Sequence, residues 1–240
     1  SSSRLPGKVL LELNGETVLS QVIKRCNAID NVDLVCCAVA GGVDSDLVAE
    51  EAKRCGSFVA RGPEDDVLGR YHKVAKEINC DVVLRVTSDC PLIDPKICSQ
   101  VINLLDGDKY NLATNNLPRT WPLGLDCEAF SAELLERAVH EATKAKDREH
   151  VTPWMRESKD LKIGTLSYTK NISHYRLTVD EPEDLILVSE ILRRFNYASN
   201  IRWDDIVNLL KENPDLAKIN SRFKRNEGSL IDQSQKLWRR

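Results

Sequence analysis

Apolar and polar residues alternate along this chain in two periods. Val18, Leu19, Val22, Ile23 and Cys26 recur at three- and four-residue spacing, which predicts an amphipathic helix. The apolar run 32–39 that follows is short enough to be a buried parallel strand. Residues 44–55 read as a second helix stopped by Gly56, and residues 58–60 as a brief strand before the turn at Gly62-Pro63. A third helix is predicted over 66–78, a Val/Leu-rich strand over 81–87, and a helix from Pro95 to about residue 105. This strand–helix repetition is the signature of an α/β fold, a mainly parallel sheet with helices on both faces.

Beyond residue 107 the alternation loosens. Short strands are predicted over 110–114, 124–130, 162–169 and 175–179, with helices over 132–144, 150–157, 182–195 and 203–211. No internal repeat or linker interrupts the pattern, so residues 1–240 are expected to form a single domain, with 213–240 as a polar C-terminal tail.

Composition narrows the function. Lys and Arg total 34 against 37 Asp and Glu, for a net charge of −3, which argues against a nucleic-acid partner bound by phosphate neutralisation. No apolar run approaches a membrane span. The eight cysteines form no CxxC pair, and the four histidines are not spaced to complete a zinc site. Most of these cysteines lie in apolar stretches, which predicts reduced structural thiols and a cytoplasmic protein.

Four segments carry candidate chemistry. The opening SSSRLPGK places Ser2, Ser3, Arg4 and Lys8 on one glycine-containing loop, a composition suited to a triphosphate, although it departs from the Walker A pattern. In VVLRVTSDCPLIDP a strand runs into Asp89, where open α/β sheets bind ligands and where a carboxylate could hold Mg²⁺. In RLTVDEPEDL a second strand ends at Asp180; capping accounts for Glu181, Glu183 and Asp184 but not for Asp180. In FVARGPEDDVLGRY, Arg61 and Arg70 could meet phosphate or base, while Asp65 and Asp66 read as helix caps. Asp44-Ser45-Asp46 has the form of a glycosyltransferase metal motif but reads as a helix start.

Taken together, these segments resemble the cytidylyltransferases that activate sugar acids as CMP conjugates: CMP-Kdo synthetases, acylneuraminate cytidylyltransferases and, most of all, the spore-coat polysaccharide SpsF group. SSSRLPGKVLLELNGETVLSQVIKR, VLRVTSDCPLIDP, GLDCEAFSAELLERA, DREHVTPW and RLTVDEPEDL carry the likeness in order, from residue 1 to about 196. The resemblance implies a nucleotide-diphospho-sugar transferase (GT-A-like) fold and a homodimer. It implies a Mg²⁺-dependent transfer of CMP from CTP to a sugar-acid, phosphate or phosphonate acceptor. Arg4 and Lys8 would contact the CTP phosphates with support from Ser2 and Ser3, and Asp89 and Asp180 would hold the Mg²⁺. Arg70, Thr87 and Ser88 would face the nucleotide, Thr87 and Ser88 standing where the Kdo enzymes carry Gln-Gly. Asp126, Glu128, Arg148 and His150 are candidates for the acceptor side. Family members begin with an apolar strand, central in the sheet, upstream of the serines; this chain starts after it, which predicts an open slot there. Two other readings stand beside this one. A glycosyltransferase using a nucleotide sugar would usually want D-x-D where Thr87-Ser88-Asp89 stands. The other is a non-catalytic nucleotide-binding protein.

Overall fold

A computed structural model describes residues 4–107, 109–196 and 200–223. Ser2, Ser3 and most of the expected tail lie outside the described residues.

Among the described residues six strands form two sheets. Strands β1 (Cys36–Ala40) and β2 (Phe58–Gly62) pair in parallel, Ala38 opposite Ala60. Strands β3 (Val82–Arg85), β4 (Leu112–Thr114), β5 (Glu128–Ser131) and β6 (Ile163–Thr165) lie in the order β3-β5-β4-β6. The β4–β6 pairing is parallel, whereas β5 runs antiparallel to both neighbours. A cavity of about 1080 Å³ is lined by β1 and by the β3 segment, and the two strands belong to separate sheets.

Helices cover both faces of the four-stranded sheet, and the strand residues show it directly. Ala113 of β4 and Ala129 of β5 enter a core built with α1 (Val18–Cys26), α4 (Pro95–Asn103), α8 (Pro182–Arg194) and α9 (Trp203–Glu212). Their neighbours Leu112 and Phe130 point the other way, into a core shared with α3 (Val67–Glu77) and α5 (Ala132–Glu141). Alternate residues on opposite faces are the pleat at work. Helix α2 (Asp46–Arg54) packs on α1 through Ala52 against Leu19 and Ile23.

Local signals set the helix starts. Thr17, Asp66 and Ser131 each accept a backbone N–H three residues on, and Asp94 accepts from Lys96 and Ile97 ahead of Pro95. Asp94 also accepts the Trp203 N–H at 2.9 Å, tying α4 to the start of α9.

Three expectations change. The helix expected over 150–157 is two short helices, α6 (Ala145–His150) and α7 (Pro153–Glu157), separated at Val151, whose φ is 72°. Pro153 cannot donate to continue the first helix, so a break near it follows. The strand expected over 175–179 forms no ladder; it makes one bridge, Arg176 with Leu123. The strand expected over 124–130 begins only at Glu128. Among the described residues no helix is long and apolar enough to cross a membrane.

All eight cysteines are free; Cys26, Cys90, Cys98 and Cys127 are buried and the other four half-buried. Burial pushes the Cys26 thiol up to about 12 and that of Cys36 to about 11, which leaves little thiolate near neutrality. A thiol reagent at pH 7.5 should therefore modify no more than four residues quickly in the native protein and all eight after denaturation. Fast reaction of five or more would contradict this packing.

Candidate active site

Residues from three distant parts of the chain meet at one point. The first part is the opening loop. Gly7 adopts φ 67°, a left-handed turn that favours glycine, and delivers Lys8 at the head of a short 3₁₀ turn. Leu5 packs against the main core and Val9 against the α1–α2 cluster, which fixes the loop at both sides of Lys8.

The second part follows β3. The chain turns at Thr87–Cys90, the Cys90 N–H donating to the Thr87 carbonyl, and Leu92 and Ile93 then anchor it fully buried. Asp89 projects from this turn.

The third part is the extended segment 176–180. Leu177 and Val179 are fully buried, while Arg176, Thr178 and Asp180 alternate with them. The Val179 N–H donates to the Asp89 carbonyl at 2.8 Å, and the Thr178 hydroxyl donates to the same oxygen at 3.1 Å. These two bonds bring Asp180 beside Asp89. Gly124 makes the approach possible: a Cβ there would lie 2.6 Å from the backbone of Leu177 and Thr178.

At the meeting point the Lys8 ammonium donates to Asp89 Oδ2 and to Asp180 Oδ1, each at 2.5 Å. Arg4 pairs with Glu181 at 2.6 Å and lies 3.4 Å from Asp180 Oδ2. Arg176 donates to the same Oδ2 at 3.2 Å. Burial opposes the charge on Lys8, but the two carboxylates outweigh it and hold its pKa above the usual lysine value. Burial likewise raises Asp89, and the charge and hydrogen bond of Lys8 outweigh that and leave it below the ordinary carboxylate range.

Behind Asp180 lies a buried support. Arg176 clamps Asp184 with two bonds of 2.8 Å, and Asp184 is fully buried. Asp184 Oδ2 also accepts the N–H groups of Asp180 and Glu181, each at 2.9 Å, as the capping box of α8. Asn220 donates to Asp184 Oδ1 and to the Arg176 carbonyl. Sequence reading assigns Asp184 to capping alone and passes over Arg176, Gly124 and Asn220. The period-two placing of Arg176, Thr178 and Asp180 was the available signal for Arg176.

The remaining candidates are dispersed. Thr87 lies on the Asp89 turn, its Oγ1 3.1 Å from Cys90 Sγ, and Ser88 is exposed. Arg70 is held on the carbonyls of Pro63 and Glu64 rather than on the Lys8 cluster. Arg61 pairs with Asp46. Asp126 lies close enough to Cys90 for its charge to act on that thiol. Glu128 is 1% exposed and serves as a buried hub: it accepts from Arg85, from Arg156 and from the Thr152 hydroxyl. Arg148 ties α6 to α3 by pairing with Asp66 at 2.5 Å, and His150 is exposed at the end of α6.

The two carboxylates suit a hard cation. Each turns an oxygen toward a single point where an ammonium already sits as a stand-in, and Mg²⁺ characteristically takes one or two carboxylates and leaves its other positions to water and phosphates.

A family model for cytidylyltransferases matches residues 1–213. The spore coat polysaccharide biosynthesis protein SpsF of Bacillus subtilis is 29% identical over 227 residues, covering 90% of this chain and 92% of that protein. A solved cytidylyltransferase from Leptospira borgpetersenii is 30% identical and superposes with a TM-score of 0.86 over 93% of this chain and 94% of that one. A CMP-2-keto-3-deoxy-manno-octonic acid synthetase solved with CTP is 17% identical, with a TM-score of 0.63 over 81% of this chain and 95% of that one, a likeness of fold. Fold and site thus define a nucleotidyltransferase. Within that class the chain belongs to the cytidylyltransferase family, whose members use CTP.

Two outcomes follow from the charge arrangement. Asp184→Ala removes the buried carboxylate that pairs Arg176 and accepts from the Asp180 and Glu181 N–H groups and from Asn220, and should cost about 3–5 kcal/mol in urea unfolding, whereas Asp184→Asn, which keeps an acceptor oxygen, should cost less. A loss below 1 kcal/mol would show that the clamp carries no such weight. Asp89, with its depressed pKa, contributes stability that is present above about pH 4 and lost as pH falls through its folded value. Lys8, with its raised pKa, contributes stability present below about pH 10 and lost above it. The wild type should therefore lose stability more steeply on the acid side than Asp89→Asn; identical pH slopes below pH 4 would contradict the pairing.

Proposed function

We propose that this protein transfers CMP from CTP to an oxygen of a sugar acid, or of a phosphate or phosphonate, in the making of a surface polysaccharide. The observation that carries the reading is the convergence of Asp89 and Asp180 on the Lys8 ammonium, with Arg4 beside Asp180, in a chain of the cytidylyltransferase family. The likeness to SpsF over most of both chains supports the polysaccharide context.

The acceptor oxygen attacks the α-phosphorus of CTP, the bond to the β-phosphate oxygen breaks, and pyrophosphate leaves. An ionised phosphate or phosphonate oxygen attacks without losing a proton; a sugar-acid hydroxyl passes its proton to water or to the departing pyrophosphate as the new bond forms. Little covalent chemistry falls to the protein, so positioning and charge neutralisation must do the work. A Mg²⁺ held by Asp89 and Asp180 would supply charge neutralisation on the phosphates. Arg4, fixed by Glu181 and Asp180, presents its guanidinium to the same place, a geometry suited to phosphate oxygens. The Arg176–Asp184 clamp holds Asp180 in register with Asp89.

Pyrophosphate release should be followed with CTP, Mg²⁺ and a panel of acceptors that includes 2-keto-3-deoxy sugar acids and sugar phosphates. Turnover is expected with one acceptor class, and Asp89→Asn should slow it on the order of a thousand-fold, the equivalent of about 4 kcal/mol of transition-state stabilisation. Wild-type rates in Asp89→Asn at saturating Mg²⁺ would remove the proposed site. Turnover of nucleotide sugars in place of CTP would favour a glycosyltransferase instead.

A further inference from the structure

Lys8 occupies a place that a phosphate-binding lysine has no need to occupy. Its ammonium lies between two carboxylates that face each other, 2.5 Å from one oxygen of each. The division of oxygens is informative. Asp180 presents Oδ1 to Lys8 and Oδ2 to Arg176 and Arg4, so the arginines stay on its outer side whatever sits in the centre. The oxygens that point inward meet the ammonium. A lysine side chain is a compact, strongly hydrated charge on four flexible methylenes, and it can leave without moving the backbone. The backbone here is fixed: the 3₁₀ turn holds the Leu10 N–H on the Gly7 carbonyl at 2.8 Å, and Leu5 and Val9 are packed.

We propose that the Lys8 ammonium is an exchangeable counter-ion: it holds Asp89 and Asp180 together until a divalent cation arrives with a triphosphate, and then yields the place to that cation and moves onto a phosphate oxygen. This rests on the reading above that the two carboxylates take a cation. Lys8 brings one positive charge to the two inward oxygens, the arginines meeting Asp180 on its other oxygen, and a divalent ion would bring two. The cation cannot enter alone at low cost, because doing so strands a half-buried ammonium without an anion. The triphosphate supplies that anion. Cation and nucleotide therefore bind as a coupled pair, and the coupling is reciprocal.

The test is calorimetry on the full chain with Mn²⁺ or Mg²⁺ alone, with CTP alone, and with both, comparing wild type, Lys8→Met and Asp89→Asn. Methionine keeps the apolar stem and removes the charge. Lys8→Met is expected to bind the cation alone at least ten-fold more tightly than wild type, to bind CTP ten- to hundred-fold more weakly, and to lose most of the mutual enhancement between them. Its melting temperature without cation should fall below that of the wild type and recover on adding Mg²⁺, which gives a second readout independent of turnover. Unchanged cation affinity in Lys8→Met, with weaker CTP binding, would overturn the exchange and leave the transferase reading standing. Cation affinity that is equal in wild type and Asp89→Asn, or undetectable in all three proteins with CTP present, would overturn the two-carboxylate site and the exchange with it.

Discussion

Two carboxylates cannot be held face to face unless the fold overcomes their repulsion, and that constraint organises the rest of this molecule. The tie is made in backbone first. The carbonyl of Asp89 accepts from the Val179 N–H, and the Thr178 hydroxyl adds a second bond to the same oxygen, so the turn after β3 and the segment before α8 are fastened without either carboxylate side chain. Leu177 and Val179 bury that segment, and Gly124 lets a third strand of chain pass against it without a Cβ in the way. Lys8 then supplies the charge that the pair requires. A buried ion pair is weak grounds for stability in itself. Here the Arg176–Asp184 pair does something more specific, because Asp184 also accepts the Asp180 N–H and so fixes the backbone of the residue it supports.

Much of this was legible in the sequence, and the parts that were not share a physical cause. Helix starts at Thr17, Asp66, Asp94 and Pro182 follow from caps and proline, which act within four residues. Asp89 and Asp180 stand out because a strand-like run leads into each. Arg4 and Lys8 meet Asp180, as the family resemblance carried by five motifs in order implied. What escaped depends on contacts between distant segments. The antiparallel course of β5 is set by where its hairpin-like return from β4 can pair, and no local pattern in 124–130 encodes it. Residues 175–179 have strand character, yet their backbone bonds go to Leu123 and Asp89 instead of to a ladder. Glu128 has the residue type of an acid–base candidate, but two arginines and a threonine converge on it from β3 and α7. A carboxylate already satisfied by three donors and closed to solvent is a cross-brace for the sheet.

Charge at the site constrains how a nucleotide can enter it. Arg4, Lys8 and Arg176 face Asp89, Asp180, Glu181 and Asp184, so the cluster carries one more negative charge than positive. A bare triphosphate approaching it would meet net repulsion, and Arg176 could not compensate without leaving Asp184. A divalent cation brought with the nucleotide would lessen that repulsion by cancelling part of the nucleotide's charge; in the exchange proposed above the ion would satisfy the inward oxygens and the displaced ammonium would become available to the phosphates. Arg4 and Arg176 differ in what they can do next. Arg176 is 6% exposed and locked by two bonds to Asp184, so it stays as scaffold. Arg4 is more exposed; it holds Glu181 at 2.6 Å but reaches Asp180 only at 3.4 Å, so it can turn its second nitrogen toward an incoming anion while remaining tethered to Glu181. The four carboxylates thus divide by what they hold: Asp184 fixes Arg176, Glu181 tethers Arg4, and Asp89 and Asp180 form the seat that the exchange proposed above would use.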